Sequence, residues 1–129
     1  MKKPSKIWKE FSQIISIIDI GIGKQQRKLI KLNKQKELLI NNINEFSLEI
    51  EHQQEKLKFL VIGKEQEAIK LFFKRKDNLK SHIESLFFDA SLVQNELENL
   101  NVEIKKTEAE KLRLEKRKDI LEELKKQII

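Results

Sequence analysis

Side chains that could catalyse a reaction or hold a metal are few in this sequence, and none stands at a spacing typical of an active site. The chain has two histidines, His52 and His82, and no cysteine. It has no HExxH motif and no other cluster of His and carboxylates with the spacing of a zinc site. Its many Glu and Lys residues four apart support a helix, and nothing predicts the burial that would shift their pKa values. We therefore expect no enzymatic activity, no cofactor and no bound metal.

One short segment resembles part of a nucleotide-binding motif. Gly21-Ile22-Gly23-Lys24 is similar to the end of a phosphate-binding loop, where backbone amides and a lysine contact the phosphates. That loop also needs Gly five positions before its second Gly and Ser or Thr after the Lys. This chain has Ile18 and Gln25 at those positions, and no strand is predicted before them. A nucleotide site is therefore not expected.

Composition favours long helices over a compact fold. Charged residues make up 37% of the 129 residues and hydrophobic residues 39%, with three Gly and one Pro. So few turn-forming residues leave the chain few places to reverse, whereas a sheet or a compact helical domain needs many. Richness in Lys, Glu, Leu and Ile with helical periodicity is typical of coiled coils. The net charge of +6 comes from 27 basic residues interleaved with 21 acidic ones, which indicates solvated helix faces and no nucleic-acid partner.

Two stripes of apolar residues follow the heptad period. The first runs from Trp8 to Leu60 in alternating steps of three and four, and predicts a helix over about residues 5–60 with Ser5 as its N-cap. The second begins at Ile69 and predicts a helix over about residues 66–128. After Ile104 its positions alternate between apolar residues and the polar residues Thr107, Lys111, Lys118 and Lys125.

A connection at about residues 61–65, with Gly63 as the helix stop, predicts that the two helices lie antiparallel. The predicted fold is all-α: one long antiparallel two-helix coiled-coil hairpin over residues 1–129. Folding the chain at Gly63 places Leu60 opposite Ile69 and, near the termini, Lys118 opposite Phe11. It also brings a basic tract alongside three glutamates; the tract is Lys24, Arg27, Lys28, Lys31 and Lys34, and the glutamates are Glu96, Glu98 and Glu103.

Two regions carry more apolar surface than one seam can bury. Near the N-terminus, isoleucines crowd the segment from Ile7 to Ile22, opposite a partner helix rich in lysine. Near the turn, Phe73, Phe87 and Phe88 lie beside or outside the seam. Local repacking or self-association explains such surfaces, and so does docking of a partner protein.

The chain resembles the central stalk proteins of type III secretion systems, the SctO, YscO and FliJ proteins. The resemblance rests on the length, on the hairpin with a turn near mid-chain, and on two segments. These are Gly63-Lys-Glu-Gln-Glu-Ala-Ile-Lys-Leu-Phe-Phe-Lys-Arg-Lys and Leu114-Glu-Lys-Arg-Lys-Asp-Ile-Leu-Glu-Glu-Leu-Lys-Lys. It implies a fold similar to the coiled coil of the rotary ATPase γ subunit, and a cytoplasmic, monomeric stalk at the inner-membrane export apparatus.

The resemblance further implies two partners and a surface for each. The end bearing both termini would enter the pore of the hexameric secretion ATPase and promote its activity, through Trp8, Phe11, Ile14, Ile15, Ile18, Lys111, Arg113, Lys116, Arg117 and Lys118. The end near the turn would face the export gate protein, through Phe59, Ile62, Phe72, Phe73, Phe87 and Phe88. Some members of the family also bind secretion chaperones.

Two other functions are consistent with the same pattern. A chaperone-like or self-associating structural coiled coil would use apolar residues outside the seam for helix-on-helix packing: Ile17, Leu38 and Phe59, with the outward-facing Ile20, Leu48 and Phe88. A membrane-surface factor would use the isoleucine-rich segment with Lys2, Lys3, Lys6 and Lys9 as an interfacial helix. That apolar run is interrupted by Asp19 and is too short to span a bilayer, so at most a peripheral membrane contact is expected.

Overall fold

A computed structural model of the chain describes residues 5–64 and 66–128. Helix α1 covers Lys6–Lys58 and helix α2 covers Ala68–Ile128, and the two pack against each other as a two-helix hairpin. The ion pairs Lys28–Glu103 and Asp19–Lys118 show that the helices run in opposite directions, since residue numbers fall on α2 as they rise on α1. The predicted all-α hairpin is confirmed.

Ser5 caps helix α1 as predicted. The backbone N–H of Trp8 donates to Ser5 Oγ at 3.1 Å, and that of Lys9 donates to the Ser5 carbonyl at 3.1 Å. A serine at this position satisfies an amide that the first helical turn leaves without a partner. The helix therefore begins where the sequence indicates.

The predicted seam is the buried stripe of both helices. Every stripe position from Trp8 to Leu60 is buried or half-buried, and so is every stripe position from Phe72 to Lys125. The prediction is wrong at the two ends of the second stripe, because Ile69 is 62% exposed and Ile128 is 37% exposed. Ile69 therefore does not pair with Leu60 as predicted.

The connection is longer than predicted. Helix α1 ends at Lys58 and α2 begins at Ala68, so residues 59–67 lie between the helices. The last turn of α1 tightens, with the Leu60 amide donating to the Leu57 carbonyl at 3.3 Å, and the β-branched pair Val61-Ile62 then favours an extended backbone. Gly63 lies well past this end and is not the helix stop.

The backbone reverses into helix α2 through a glutamate and not through a glycine. Glu67 has φ 61°, and none of the glycines in the described ranges has positive φ. Its carbonyl accepts the Leu71 amide at 3.1 Å, the first hydrogen bond of α2. A non-glycine residue in this region costs roughly 1–2 kcal/mol, which the residues around it must offset.

The chain divides into two compact units. We call residues 1–35 with 100–129 the terminal unit, and residues 36–99 the turn unit. The buried apolar residues of the terminal unit are Ile15, Ile18, Leu29 and Ile104; those of the turn unit are Ile50, Ile83 and Leu86. Within the two described ranges, neither helix contains an apolar stretch of the length and hydropathy that crossing a bilayer requires.

The predicted register is wrong near the termini. It placed Lys118 opposite Phe11, but Lys118 Nζ lies 2.6 Å from Asp19 Oδ1. Phe11 and Asp19 are eight residues apart, about 12 Å of helix, which is more than these side chains span across the seam. A Cβ added to Gly21 would likewise lie 3.3 Å from Leu114 Cδ1, far from the predicted level of that leucine. The prediction assumed a tight reversal at Gly63, and the observed connection is longer.

Candidate partner-binding surfaces

The seam of the terminal unit is closed, although lysines occupy much of it. Ile15 is 8% exposed and Ile18 is 5% exposed. The Lys118 side chain is 29% exposed and its ammonium reaches Asp19, the residue that follows Ile18. A half-buried lysine of this kind covers the seam with its aliphatic stem. The apolar surplus predicted for this segment therefore does not include Ile15 and Ile18. Ile15 and Ile18 belong to the hairpin's own core and do not form part of its surface.

The last lysine of the seam stacks on the single tryptophan. Lys125 Nζ lies 4.2 Å from the centroid of the Trp8 ring, close enough for a cation–π contact. The Trp8 indole nitrogen is buried and has no hydrogen-bond partner among the described residues. Trp8 and the neighbouring seam residue Phe11 are both half-buried, so each keeps some surface for a partner.

Ion pairs fix the charges that flank this seam. Lys28 Nζ donates to Glu103 Oε1 at 2.8 Å, a pair that the sequence predicts, and this hydrogen bond lowers the pKa of Glu103. The hydrogen bond to Asp19 raises the pKa of Lys118. Thr107, 2% exposed, donates its hydroxyl to the Glu103 carbonyl at 2.9 Å. Thr107 and Lys118 of this seam thus have polar partners, whereas the indole N–H of Trp8 has none among the described residues.

One side of the terminal unit is apolar and basic. We call it the isoleucine face, and it consists of Ile7, Ile14, Ile17, Ile120 and Leu124, which are 55%, 41%, 69%, 62% and 41% exposed. Ile14 and Leu124 are whole heptads away from Lys28 and Glu103, which contact each other across the hairpin. They therefore lie on the same side of the hairpin as that ion pair. Ile7 is one heptad before Ile14, and Ile17 and Ile120 are one helical turn from Ile14 and Leu124, so all five share that side.

The opposite side of the terminal unit is mixed in character. A groove there is lined by the polar residues Gln26, Asn33, Glu108 and Glu115, and also by Ile30 and Leu112, which are 49% and 50% exposed. Asp19 and Glu122 are one heptad from members of that set and extend it. Both sides therefore expose apolar side chains, and they differ chiefly in charge, with acids on this side and bases on the isoleucine face.

The remaining predicted residues of the terminal unit are basic. Arg113 is exposed and donates to Glu110 Oε1 at 2.7 Å, and the hydrogen bond lowers the pKa of that glutamate. Lys116 and Arg117 are exposed. The Lys111 side chain is 30% exposed and lies 3.6 Å from Glu115. Together with Ile14, these residues are available to a partner.

The predicted aromatic surface of the turn unit is exposed, with one exception. Phe72 is half-buried in the seam and meets Phe73 edge to face, with ring centroids 5.4 Å apart. The exposed members are Phe59 at 71%, Ile62 at 55%, Phe73 at 53%, Phe87 at 52% and Phe88 at 64%. Phe88 faces outward, as its heptad position predicts.

The turn unit has a groove that the sequence did not predict. Its volume is about 710 Å³, and its lining includes Phe59, Leu60 and Val61 of the connection together with Leu79 and His82 of α2. The sequence pattern could not reveal it, because the groove depends on how the connection folds back over α2. His82 Nε2 lies 4.0 Å from Glu49 Oε1 at this side of the hairpin.

Net charge separates the two units. The terminal unit has 18 Lys and Arg and nine Asp and Glu, a formal net charge of +9. The turn unit has nine Lys and Arg and 12 Asp and Glu, a formal net charge of −3. The turn unit also contains six of the seven phenylalanines. The two units thus present different chemistry to a partner.

Gly21-Ile22-Gly23-Lys24 lies inside helix α1. A helical backbone bonds its amides to the preceding turn, so they do not point into a phosphate-binding loop. Within residues 5–64 and 66–128, no three His, Cys, Asp or Glu side chains are grouped as metal ligands would be. Comparisons with protein-family models, with curated proteins and with solved structures find no match to this chain.

Proposed function

We propose that this chain is the central stalk of a type III secretion system, in the cytoplasm at the export apparatus of the inner membrane. Its terminal unit would enter the hexameric secretion ATPase and promote its activity, and its turn unit would face the export gate. The observation that carries the proposal is the division of one hairpin into a basic unit with a closed seam and an acidic unit with exposed phenylalanines.

The terminal unit suits contact with the inside of a ring. Its seam is closed by Ile15, Ile18 and the lysine stems, so the two helices stay together without a third helix. Its outer charges, such as Arg113 and Lys116, are exposed, and exposed ion pairs contribute only about 0–1 kcal/mol each. Many weak contacts of this kind bind a stalk without fixing it in one position.

The turn unit suits a specific partner at a single place. Phe59, Phe73 and Phe88 expose more than half of their surface, and exposed aromatic side chains are frequent anchors of protein interfaces. The groove beneath Phe59 and Leu60 offers an apolar pocket next to them. An export gate protein, or a secretion chaperone, is the partner that the proposal assigns to this unit.

Co-purification with the secretion ATPase of the same organism tests the proposal. The chain should bind the ATPase and raise its hydrolysis rate, and reversing two exposed charges with Arg113→Glu and Arg117→Glu should weaken both effects about tenfold. The matched control, Lys74→Glu with Lys80→Glu, makes the same change in the turn unit and should leave both effects intact. Failure of the parent chain to bind, or an equal loss in the control, would refute the assignment.

A self-associating coiled coil is the second candidate. Leu38 and Leu48 are 63% and 67% exposed on α1, and burying them against another copy would be favourable. Light scattering at micromolar concentration separates the two functions. A stalk should have the mass of one chain, about 15.4 kDa, whereas a dimer with twice that mass would favour self-association.

A further inference from the structure

The isoleucine face of the terminal unit combines exposed apolar side chains with a surrounding positive charge. Its apolar members, from Ile7 to Leu124, all lie outside the seam. Six basic residues share their heptad positions and therefore their side of the hairpin: Lys24, Lys28, Lys31, Lys106, Arg113 and Arg117. Neither the exposed apolar area nor the surrounding positive charge is needed to hold the hairpin together, and such a patch is typical of an interaction site.

Few acids offset that charge. Glu10, Glu103 and Glu110 are the acidic residues at the same heptad positions. Glu103 is paired with Lys28 at 2.8 Å and Glu110 with Arg113 at 2.7 Å, and each pair neutralises one acid and one base. The six bases and three acids leave a formal net charge of +3 on this face. Glu108 and Glu115 lie on the opposite side. The isoleucine face is therefore complementary to a negatively charged surface.

A third helix is a poor fit for this face. Packing of a helix against α1 would need an apolar seam over three or four heptads. The positions available on α1 read Ile7, Glu10, Ile14, Ile17, Gly21 and Lys24, which is apolar for less than two heptads. An interfacial contact with lipid needs no such repeat, because the bilayer is laterally continuous and adapts to any flat apolar patch.

We propose that the isoleucine face docks on an anionic lipid bilayer. Its isoleucine and leucine side chains enter the headgroup region, and its lysines and arginines pair with lipid phosphates. The contact is peripheral, since no helix in the described ranges is long and apolar enough to cross a membrane. Ile14, Arg113 and Arg117 also belong to the surface assigned to the ATPase, so one copy would contact lipid or ATPase through this face, but not both at once.

Vesicle flotation of the purified full chain tests the inference without any protein partner. The chain should float with phosphatidylcholine vesicles containing about one-third phosphatidylglycerol, and not with pure phosphatidylcholine. Binding should fall at least tenfold between about 0.1 M and about 0.5 M salt, because the basic side chains supply much of the attraction and salt screens them.

A double variant and a matched control locate the contact. Ile14→Gln with Ile17→Gln removes exposed apolar surface from the isoleucine face and should weaken binding about tenfold. Leu38→Gln with Leu48→Gln removes similarly exposed apolar surface, 63% and 67%, from the turn unit and should bind like the parent. Circular dichroism should show the parental helix content in both, since all four side chains lie outside the seam.

Three results would overturn the inference. These are no flotation of the parent chain with anionic vesicles, parental binding by the isoleucine variant, and an equal loss in the leucine variant. None of them bears on the ATPase, because no ATPase is present. If the chain binds the ATPase but not vesicles, the stalk function is supported and the lipid contact is refuted. If it binds vesicles but not the ATPase, the lipid contact is supported and the stalk function is refuted.

Discussion

The terminal unit and the turn unit close the same heptad seam with different side chains. In the turn unit the α2 seam is apolar at every position from Leu79 to Leu97. In the terminal unit the α2 seam alternates apolar residues with Lys and Thr, yet Ile18 is 5% exposed, against 9% for Ile83 in the turn unit. Long aliphatic stems thus cover a core at least as well as branched apolar side chains do, provided that each ammonium reaches an acid or water.

The outer surfaces of the two units differ as well. The terminal unit has a net charge of +9, to which its three seam lysines contribute only +3, and the turn unit has −3 although Lys36 and Lys76 lie in its own seam. The turn unit also has most of the phenylalanines. The charges and aromatic side chains outside the seam, and not the residues that close it, therefore distinguish the partners that each unit suits.

Truncation of one buried isoleucine in each unit tests whether the two seams are equally tight. Ile18→Ala and Ile83→Ala should each lower the free energy of unfolding by about 2–4 kcal/mol, because both leave a cavity in a buried layer. Urea unfolding followed by circular dichroism measures both. If Ile18→Ala lowers the free energy of unfolding by less than half as much as Ile83→Ala does, the lysine-covered seam is looser than the apolar one, and the two seams are not equally tight.

The stem of Lys118 is the next part of the comparison to test. Lys118→Ala removes the aliphatic cover that this stem gives the seam and should lower the melting temperature by about 5 °C. Lys118→Met keeps a long apolar side chain while losing the charge, and should cost less than half as much. If the methionine variant is as unstable as the alanine variant, the pair with Asp19, and not the stem, stabilises this layer.

The hairpin could be predicted from the sequence because its signals are local and repeated. The phase of the stripe from Trp8 to Leu60 is set by residues three and four apart, and burial follows it at every position. Ser5 was recognisable as a cap because the requirement for an N-terminal acceptor is local too. Exposure of Phe88 follows from the same phase.

Register and sidedness depend on distances that no short pattern encodes. Gly63 was the obvious reversal point, but helix α1 ends at Lys58 and the left-handed residue is Glu67. Once the reversal point is misplaced, every cross-helix pair near the termini moves, as the contact between Lys118 and Asp19 shows. The sequence indicated the α1 half of the isoleucine face, but its α2 half, Ile120 and Leu124, could be joined to it only once both helices were placed.

Acid titration is expected to give the smallest effect, and to give it in the terminal unit. The Lys28 hydrogen bond holds the pKa of Glu103 below its usual value of 4.5, and the Arg113 hydrogen bond does the same for Glu110. A lowered pKa in the folded state means that each pair stabilises the fold above pH 4.5 and that this contribution disappears as the pH falls through the lowered pKa.

Glu103→Gln removes one of these contributions, and both carboxylates are exposed, so the effect is small. The fall in melting temperature between neutral and acidic pH should shrink by no more than about 2 °C in this variant. Glu84→Gln makes the same chemical change in the turn unit as a control. If it flattens the pH profile as much as Glu103→Gln does, the acid sensitivity belongs to the whole hairpin, and the ion pairs do not distinguish the two units.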